Sequence, residues 1–293
     1  MIVVVGDLVT DVLVAHDGTI EPGSDTAAAI TVGGGGQGAN TAAWLAHTGR
    51  PVTLVAAVGD DPAGRERVAE LIAAGVHCAV RAHPGAATGS VVVLAAPEER
   101  TMITDRGAAL LLDPADVRPA IDSAGASHLH LSGYPLLHDG SRPAALAALA
   151  AAADRGLTTS VDAASAAPLR SVGARAFLTW VRGCDLLLCN ADEADVLAGA
   201  GPAEAQARRL SEYALNVVVK EGAAGATWVS RDGIVQSVSP ERVPMKDPTG
   251  AGDAFAAGLL ASWCEGGSPK PALEAGAALG ARAVSAIGAR PRS

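Results

Sequence analysis

The sequence predicts an α/β fold, a doubly wound and mostly parallel sheet with helices on both faces and a small β lid. Three observations support this prediction. Short Val- and Leu-rich runs recur along the 293-residue chain, Ala-rich helical segments separate them, and two stretches carry strand-like runs with no helix between them. Alternating strands and helices are typical of parallel sheets, because parallel neighbours need a crossover connection. We expect residues 1–293 to form a single domain.

The predicted strands are continuous apolar runs, which indicates that both faces of the sheet are buried. They are IVVVG (2–6), VTLVAAVG (52–59), HLHLSG (128–133), TTSVDA (158–163), DLLLCN (185–190) and NVVVK (216–220). Helices are predicted for PAGRERVAELIAAG (62–75), RPAALAALAAAADRG (142–156) and PAEAQARRLSEYA (202–214). Two of these segments begin with Pro and two end at Gly, as helices commonly do.

Residues 12–32 and 89–105 interrupt the alternation. Both contain strand-like runs joined by Gly, Pro and acidic turns. We expect them to fold together as a small sheet, the lid, over one end of the large sheet. An apolar lid face could also bring two copies of the chain together as a homodimer.

Composition excludes several classes of partner. A net charge of −9 argues against a nucleic-acid or anionic-membrane partner, since both attract a surplus of Lys and Arg. The four cysteines show no CxxC pair or zinc-like spacing, which predicts reduced thiols. The first residues lack the pattern of a signal peptide, and no apolar run approaches the roughly 20 residues of a membrane span. We therefore expect a soluble, cytoplasmic protein.

The first glycine-rich stretch is VGGGGQGANTAAWLAHTG (32–49). Gly33, Gly35 and Gly38 have GxGxxG spacing between a possible strand and a helix, and Asp60 follows about twenty residues later. Taken alone, this pattern suggests a dinucleotide-binding turn. The alternative is a tight turn that needs glycine for its backbone conformation or for close packing.

The second stretch is DPTGAGDAFAAGLL (247–260). Small residues at 250–252 allow a sharp turn before Asp253 enters an apolar helix. Free backbone N–H groups at such a helix start can bind an anion. Asp253 could instead be a helix N-cap. A cap does not require glycine on the approach, whereas a phosphate does, so the combination favours a site where phosphate and a proton acceptor meet.

Together the two stretches resemble the two signatures of the ribokinase-like (PfkB) carbohydrate kinases. GGQGAN (35–40), with Gly49 and Gly59 after it, resembles the first signature, and residues 247–260 resemble the second. The resemblance covers essentially the whole chain and displaces the dinucleotide interpretation. It implies an ATP- and Mg²⁺-dependent kinase that phosphorylates a primary hydroxyl of a small sugar or sugar derivative, either ribose-like or a ketose or keto-sugar acid.

Two alternatives to a sugar kinase remain at this point. One is a nucleoside kinase of the adenosine or pseudouridine type, and the other is a sugar-binding regulator without catalysis. Only 3% of the residues are aromatic, which leaves few rings to stack on a base and favours a sugar. The acidic residues implied for catalysis are intact, which argues against the regulator.

The resemblance also implies individual roles. Asp253 would be the base, and the N–H groups of Gly250, Ala251 and Gly252 would form an anion hole for the transferred phosphate. The implied sugar-binding residues are Asp11, Gly35, Gly36, Gln37, Asn40 and Asp253. The implied nucleotide-binding residues are Asn190, Glu193, Lys220, Gly222, Gly225, Gly250 and Gly252. Asn190 and Glu193, in the motif NADE, would reach Mg²⁺ through water, and a monovalent cation such as K⁺ would lie near Asp247, Thr249, Ser285 and Gly288.

Three further expectations concern side chains around this site. Ribokinase usually has Lys where this chain has Gln37, which puts ribose itself in doubt. Arg106 would hang from the lid near the sugar, either to meet an acidic substrate group or simply in solvent. The positive end of the helix should keep Asp253 ionised and make it a weak base.

Overall fold

A nine-stranded sheet forms the centre of the protein, and a separate four-stranded sheet forms the lid. The structure is a computed structural model that describes residues 1–96 and 100–291, so residues 97–99 of the predicted lid segment lie outside the described residues. The strands are β1 (Ile2–Val5), β2 (Val9–Ala15), β3 (Ala29–Gly35), β4 (Val52–Gly59), β5 (His77–His83), β6 (Thr88–Ala95), β7 (Arg100–Gly107), β8 (His128–Ser132), β9 (Thr158–Asp162), β10 (Leu186–Asn190), β11 (Asn216–Lys220), β12 (Ala226–Ser230) and β13 (Val235–Val238).

The large sheet has the order β13-β12-β11-β10-β9-β8-β1-β4-β5. All neighbouring strands from β5 to β11 are parallel. At the other edge, β12 pairs antiparallel with β11, and β13 pairs antiparallel with β12. All six predicted strands belong to the parallel part. Their carboxyl ends therefore lie along one edge of the sheet, where ligands bind in open α/β folds.

Helices cover both faces of this sheet. They are α1 (Gln37–His47), α2 (Pro62–Ala73), α3 (Pro114–Ile121), α4 (Tyr134–Leu137), α5 (Arg142–Asp154), α6 (Ala166–Val172), α7 (Ala174–Trp180), α8 (Ala191–Ala198), α9 (Ala203–Leu210), α10 (Ala251–Trp263) and α11 (Pro269–Val284). On β1, Val3 and Val5 belong to the core beneath α3 and α5, whereas Ile2 and Val4 belong to the core beneath α1 and α10. Successive side chains of a strand point to opposite faces, so the continuous apolar runs reflect burial on both sides.

Helix α9 ends earlier than the sequence predicts. The predicted segment runs to residue 214, but the helix ends at Leu210 and a turn follows. The chain must reverse there in order to enter β11 at Asn216. None of the described helices has the length and apolar character needed to cross a bilayer.

The lid is the sheet β3-β2-β6-β7. Its strands begin at Val9 and Thr88, slightly before the predicted lid segments. The polar residues after β1 resemble a turn in the sequence, but Val9 is buried against Val91 and Val93 on the inner face of the lid. The chain therefore passes from the main sheet into the lid almost without a connecting loop.

Helix α10 packs closely on α11, and we expect Gly258→Ala to weaken this contact. A Cβ at Gly258 would collide with the carbonyl oxygen of Ala275, and overpacking of this kind costs about 1–3 kcal/mol. Gly280→Ala is the matched control, since its Cβ would lie 3.5 Å from the Ala251 carbonyl oxygen, an ordinary contact. Thermal unfolding followed by circular dichroism should give the lower midpoint for Gly258→Ala. Equal midpoints would contradict the packing described.

Candidate active site

A cleft of about 650 Å³ opens between the lid and the carboxyl edge of the main sheet. Strand ends contribute Asp162, Asn190 and Lys220 to its lining, and the start of α10 contributes Gly252 and Asp253. Most of these residues lie far apart along the chain. The parallel topology brings Asp162, Asn190 and Lys220 together, because each ends a strand of the same sheet, and the start of α10 lies beside these strand ends.

The turn before α10 depends on glycine. Gly250 has a positive φ of 74°, and a Cβ there would collide with the backbone of Ala289. The helix then begins at Ala251, with Asp253 in its first turn. The side chain of Asp253 makes no capping hydrogen bond to the backbone of the helix, so it is not the N-cap. Instead its Oδ2 accepts a hydrogen bond of 2.9 Å from Asn40 Nδ2.

Loss of water around the carboxyl group raises the pKa of Asp253 to about 7. The hydrogen bond from Asn40 and the positive charge of Lys220 oppose this rise in pKa, whereas the negative charges of Asp162 and Asp7 add to it. The expectation that the helix end keeps Asp253 a weak, ionised base is therefore wrong. The field of one helix end is smaller than the cost of removing a carboxylate from water.

Lys220 and Asp162 form a buried ion pair beside this turn. Lys220 Nζ lies 2.6 Å from Asp162 Oδ2, and their side chains are 13% and 3% exposed. Burial opposes the charged form of Lys220, but attraction by Asp162 and Glu193 outweighs it and raises the pKa of Lys220. A Cβ on Gly252 would lie 3.5 Å from Lys220 Nζ. The ammonium group therefore lies against the glycine turn.

Asp162 is a site residue that sequence reasoning missed. Its Oδ1 accepts a 2.9 Å hydrogen bond from Gln37 Nε2, and Gln37 Oε1 accepts one of 2.6 Å from Ser132. Gln37 therefore bridges two strand ends, and its amide is used within the protein. The signal was present in the sequence, since Asp162 ends the predicted strand TTSVDA at the edge where ligands bind.

The sugar-binding residues implied by the first signature lie at the lid side of the cleft. Asp11, on β2, holds its carboxylate directly over Gly35, where a Cβ would collide with it. Gly36 has a φ of 99° and also packs on the backbone of Asp7, so no other residue fits there. Asn40 lies one helical turn into α1 and reaches Asp253. All of these residues are within or next to the cleft lining.

Asp7 and Arg106 form a second buried ion pair, and sequence reasoning missed Asp7. Arg106 Nη1 lies 2.9 Å from Asp7 Oδ2, and Asp7 Oδ1 accepts a hydrogen bond from Gly38 N at 3.2 Å. The guanidinium group lies 3.8 Å above the ring of Tyr134. Because the Arg106 side chain is only 10% exposed, the alternative of a solvated lid arginine is wrong.

Asn190 and Glu193 join in a reciprocal capping box at the start of α8. Asn190 N and Nδ2 donate to the two carboxylate oxygens of Glu193 at 2.8 and 2.7 Å, and Glu193 N donates to Asn190 Oδ1 at 2.9 Å. Burial raises the pKa of Glu193 to about 7, with help from the charge of Asp162. Both residues line the cleft. In the described part of the chain, no group of three or more His, Cys, Asp or Glu side chains could hold a metal ion by itself.

Of the remaining residues implied by the resemblance, Thr249 lines the cleft, whereas Gly222, Gly225, Asp247, Ser285 and Gly288 are not part of its described lining. Gly222 and Gly225 form the turn after β11, and Gly225 packs on the backbone of Val238. Asp247 accepts hydrogen bonds from Thr249 N and Gly288 N, both at 2.9 Å, so three of the residues implied for a monovalent cation lie together. The fourth, Ser285, donates to the Arg282 carbonyl oxygen in its own helix.

Comparison with known proteins identifies the family. The profile of the pfkB family of carbohydrate kinases matches residues 1–293. The chain belongs to this family. It is a phosphotransferase that acts on sugar. Among curated proteins, this carbohydrate kinase is similar to the 2-dehydro-3-deoxygluconokinase of Thermoproteus tenax, with 32% identity over 262 residues that cover 86% of this chain and 80% of that protein.

Solved structures confirm the ribokinase-like fold. The adenosine kinase of Sinorhizobium meliloti superposes with a TM-score of 0.91 at 22% identity, covering 99% of this chain and 95% of that one. An Escherichia coli protein assigned as a ribokinase II, solved in complex with ATP and Mg²⁺, superposes with a TM-score of 0.86 at 25% identity, covering 98% and 94% of the two chains. Both superpositions cover nearly the whole of this chain, which includes the small second sheet.

The raised pKa of Asp253 predicts that Asp253→Asn stabilises the fold at neutral and alkaline pH. In the wild type, folded Asp253 holds its proton up to about pH 7, so stability is lost as the pH rises through that value. The variant and the wild type should therefore have about the same melting temperature near pH 4. By pH 8 the melting temperature of the variant should exceed that of the wild type by about 2–4 °C or more.

Asp154→Asn, at the exposed end of α5, is the control for this measurement. Its melting temperature relative to wild type should not change over the same pH range. If the difference in melting temperature between Asp253→Asn and the wild type stayed constant from pH 4 to pH 8, the pKa of Asp253 would not be raised in the folded protein.

Proposed function

We propose that this carbohydrate kinase transfers the γ-phosphoryl group of Mg²⁺-bound ATP to a primary hydroxyl of a small sugar or sugar derivative, with Asp253 as the base. One observation carries the proposal: Asp253, the glycine turn and the Lys220 ammonium group meet at the floor of one cleft. This combination supplies a proton acceptor and an anion site at the same point. Phosphoryl transfer needs mainly positioning and charge stabilisation.

Asp253 would accept the proton of the sugar hydroxyl as the oxygen attacks the γ-phosphorus. The new O–P bond forms while the bond from phosphorus to the bridging oxygen breaks, and ADP leaves with that electron pair. A base with a pKa near the working pH is well matched to this task, and such bases contribute about 10²–10⁴-fold. The pKa of about 7 therefore suits Asp253 better than an ordinary carboxylate pKa would.

The N–H groups of Gly250, Ala251 and Gly252 would bind the transferring phosphoryl group, with Lys220 beside them. Helix N-termini stabilise anions through unpaired N–H groups and the helix dipole. The ion pair with Asp162 holds the Lys220 ammonium group against Gly252, so this positive charge needs no rearrangement during the reaction.

The sugar would bind on the lid side, with its hydroxyls between Asp11, Asn40 and the backbone around Gly36 and Gln37. Arg106 Nε is buried and has no hydrogen-bond partner in the described part of the chain. Asp7 already offsets the charge of Arg106. A neutral, hydroxyl-rich acceptor therefore fits this end of the cleft better than a sugar acid of the kind named for the Thermoproteus relative.

A nucleoside is the second candidate acceptor, because the fold is shared with an adenosine kinase. Among the described lining residues, Tyr134 is the only aromatic side chain, and Arg106 lies over its ring. Little aromatic surface is thus left for a base to stack on. This favours the sugar.

ATP would bring Mg²⁺ into the site, and Asn190 and Glu193 would contact the ion through water. Asn190 and Glu193 lie together in the cleft lining, and no cluster in the described part of the chain supplies a complete metal ligand set, which suits an ion that keeps several waters. Gly222 and Gly225 would lie on the nucleotide side. A K⁺ ion near Asp247, Thr249, Ser285 and Gly288 would support the anion hole. The four free cysteines agree with a cytoplasmic location.

A panel of sugars, sugar acids and nucleosides, read out as acceptor-dependent ADP release, tests this proposal. We expect ADP release with a neutral sugar, and we expect Asp253→Asn to lower kcat by about 10²-fold or more while sugar binding is retained. The kcat/KM of the wild type should rise with pH through a midpoint near 7, as Asp253 loses its proton. Near-normal turnover by Asp253→Asn would show that Asp253 is not the base. If no acceptor gave ADP release, a sugar-binding regulator without catalysis would be favoured.

We also propose that two copies of the chain pair through the outer face of the lid. On that face Ile30, Val32 and Ile103 are 65%, 60% and 58% exposed, and the strand register places Val12 and Val92 between Val32 and Ile103. Val32, Val12, Val92 and Ile103 form a continuous apolar row across the lid, and Ile30 lies two residues from Val32 on the same face. A row of this kind on a soluble enzyme commonly marks a protein contact.

Ile103→Glu should convert such a dimer into a monomer, because it places a charge in the apolar row. Ile72→Glu is the matched control, since Ile72 is equally exposed, at 60%, on α2. Light scattering coupled to size-exclusion chromatography should give half the wild-type mass for Ile103→Glu only. A wild type that elutes as a monomer at all concentrations would overturn the pairing.

A further inference from the structure

Arg290, near the end of the chain, lies beneath the sugar-binding loop and takes no part in the chemistry proposed above. Its side chain is 14% exposed and has three partners. Nε donates to Asn40 Oδ1 at 3.2 Å, Nη2 donates to the Gly35 carbonyl oxygen at 2.9 Å, and Nη1 donates to Glu70 Oε2 at 3.4 Å. One guanidinium group thus connects the first signature to α2.

The segment that carries Arg290 is held in place by its neighbours. Gly288 N donates to Asp247 Oδ2 at 2.9 Å, and the Ala289 carbonyl oxygen accepts a 2.9 Å hydrogen bond from Trp44 Nε1. Ala289 also packs on Gly250, where no Cβ can be accommodated. Arg290 is therefore fixed relative to both signatures.

This arrangement determines which way the Asn40 amide faces. An amide has an acceptor oxygen on one side and a donor NH₂ on the other, whereas a guanidinium group can only donate. Arg290 therefore requires Asn40 Oδ1 on its own side. The NH₂ group is left to donate to Asp253 Oδ2, as observed at 2.9 Å. A flipped amide would place donor against donor at Arg290 and oxygen against carboxylate at Asp253.

We propose that Arg290 is a positioning residue that acts through Asn40 to keep a hydrogen-bond donor on the carboxylate of Asp253. The catalytic importance of this role rests on the proposed function. The orientation of the Asn40 amide does not depend on that function. The donor stabilises the ionised carboxylate, and it also fixes which oxygen of Asp253 remains available for a sugar hydroxyl.

The other groups that face Asp253 are Asp7 after β1, Tyr134 on α4, Asp162 on β9 and Lys220 on β11. Replacement of Arg290 leaves all four in place. The hydrogen bond from Asn40 lowers the pKa of Asp253 against the effect of burial. If that donor is lost for part of the time, the pKa of Asp253 must rise further.

The test measures the titration of Asp253 directly, by carbon-13 NMR of labelled Asp carboxyl groups in the full chain without acceptor. The resonance is assigned by its absence in Asp253→Asn. In Arg290→Met the titration midpoint should rise by about 0.5–1 pH unit relative to wild type. Arg282→Met, which removes an exposed arginine from the end of α11, is the matched control and should leave the midpoint unchanged.

Gly34→Ala supplies a second variant that keeps the charge of Arg290. A Cβ at Gly34 would collide with Arg290 Nη1 and lie 2.6 Å from Glu70 Oε2, so it should push the guanidinium group away from Asn40. The midpoint should again rise. This variant also provides the test if Arg290→Met does not fold.

Asn40→Ala distinguishes orientation of the amide from a long-range effect of charge. In that background, Arg290→Met should cause no further change in the midpoint, because the effect requires the amide. An unchanged midpoint in both Arg290→Met and Gly34→Ala would overturn the proposal, and so would an equal shift in the presence and absence of Asn40.

The acid limb of kcat, measured with the best acceptor, should move upward in parallel with the titration midpoint. If the wild type releases no ADP with any acceptor but the carboxyl titration still shifts, the kinase mechanism fails and the role of Arg290 stands. If the wild type is active and neither the titration nor the acid limb moves, the role of Arg290 fails and the kinase mechanism stands.

Discussion

The hydrogen bond between Asn40 and Asp253 is the constraint on which the rest of the site depends. It joins Asn40 and Asp253, residues of the two signatures that are 213 positions apart in sequence, and it ends on a partly buried carboxylate. A carboxylate in that position is costly unless donors and positive charge surround it. The glycine turn, the amide of Asn40 and the ammonium of Lys220 are the groups that offset this cost. They are also the groups that a transferring phosphoryl group would meet.

Two buried ion pairs flank Asp253, and each places its positive charge in the lining of the cleft. Lys220 is held by Asp162 on the side of the glycine turn, and Arg106 is held by Asp7 on the side of the lid. Buried pairs of this kind contribute little net stability, because desolvation of both charges is expensive. Their advantage is position. A charge that is already desolvated and fixed acts on a reacting group without reorganisation.

The sequence predicted the architecture well and the electrostatics poorly. Continuous apolar runs identified six parallel strands, because burial on both faces leaves a clear pattern in the chain. The strand end could have placed Asp162 at the ligand-binding edge, but no local pattern connects Asp162 to its partner Lys220 or Arg290 to its partner Asn40. The pKa of Asp253 was misjudged for a related reason. The helix dipole is a local property, whereas loss of water depends on everything that packs around the carboxyl group.

The lid and Asp253, the proposed base, are connected through Asp7. The negative charge of Asp7 adds to the raised pKa of Asp253, and Arg106 on lid strand β7 pairs with Asp7. The lid therefore limits how strongly Asp7 acts on the base, in addition to covering the cleft. A lid that excludes water strengthens every interaction beneath it, the attraction of Lys220 for anions included. Closure over a sugar would thus act on the proton acceptor and the phosphate site together, because both lie within the same small set of buried charges.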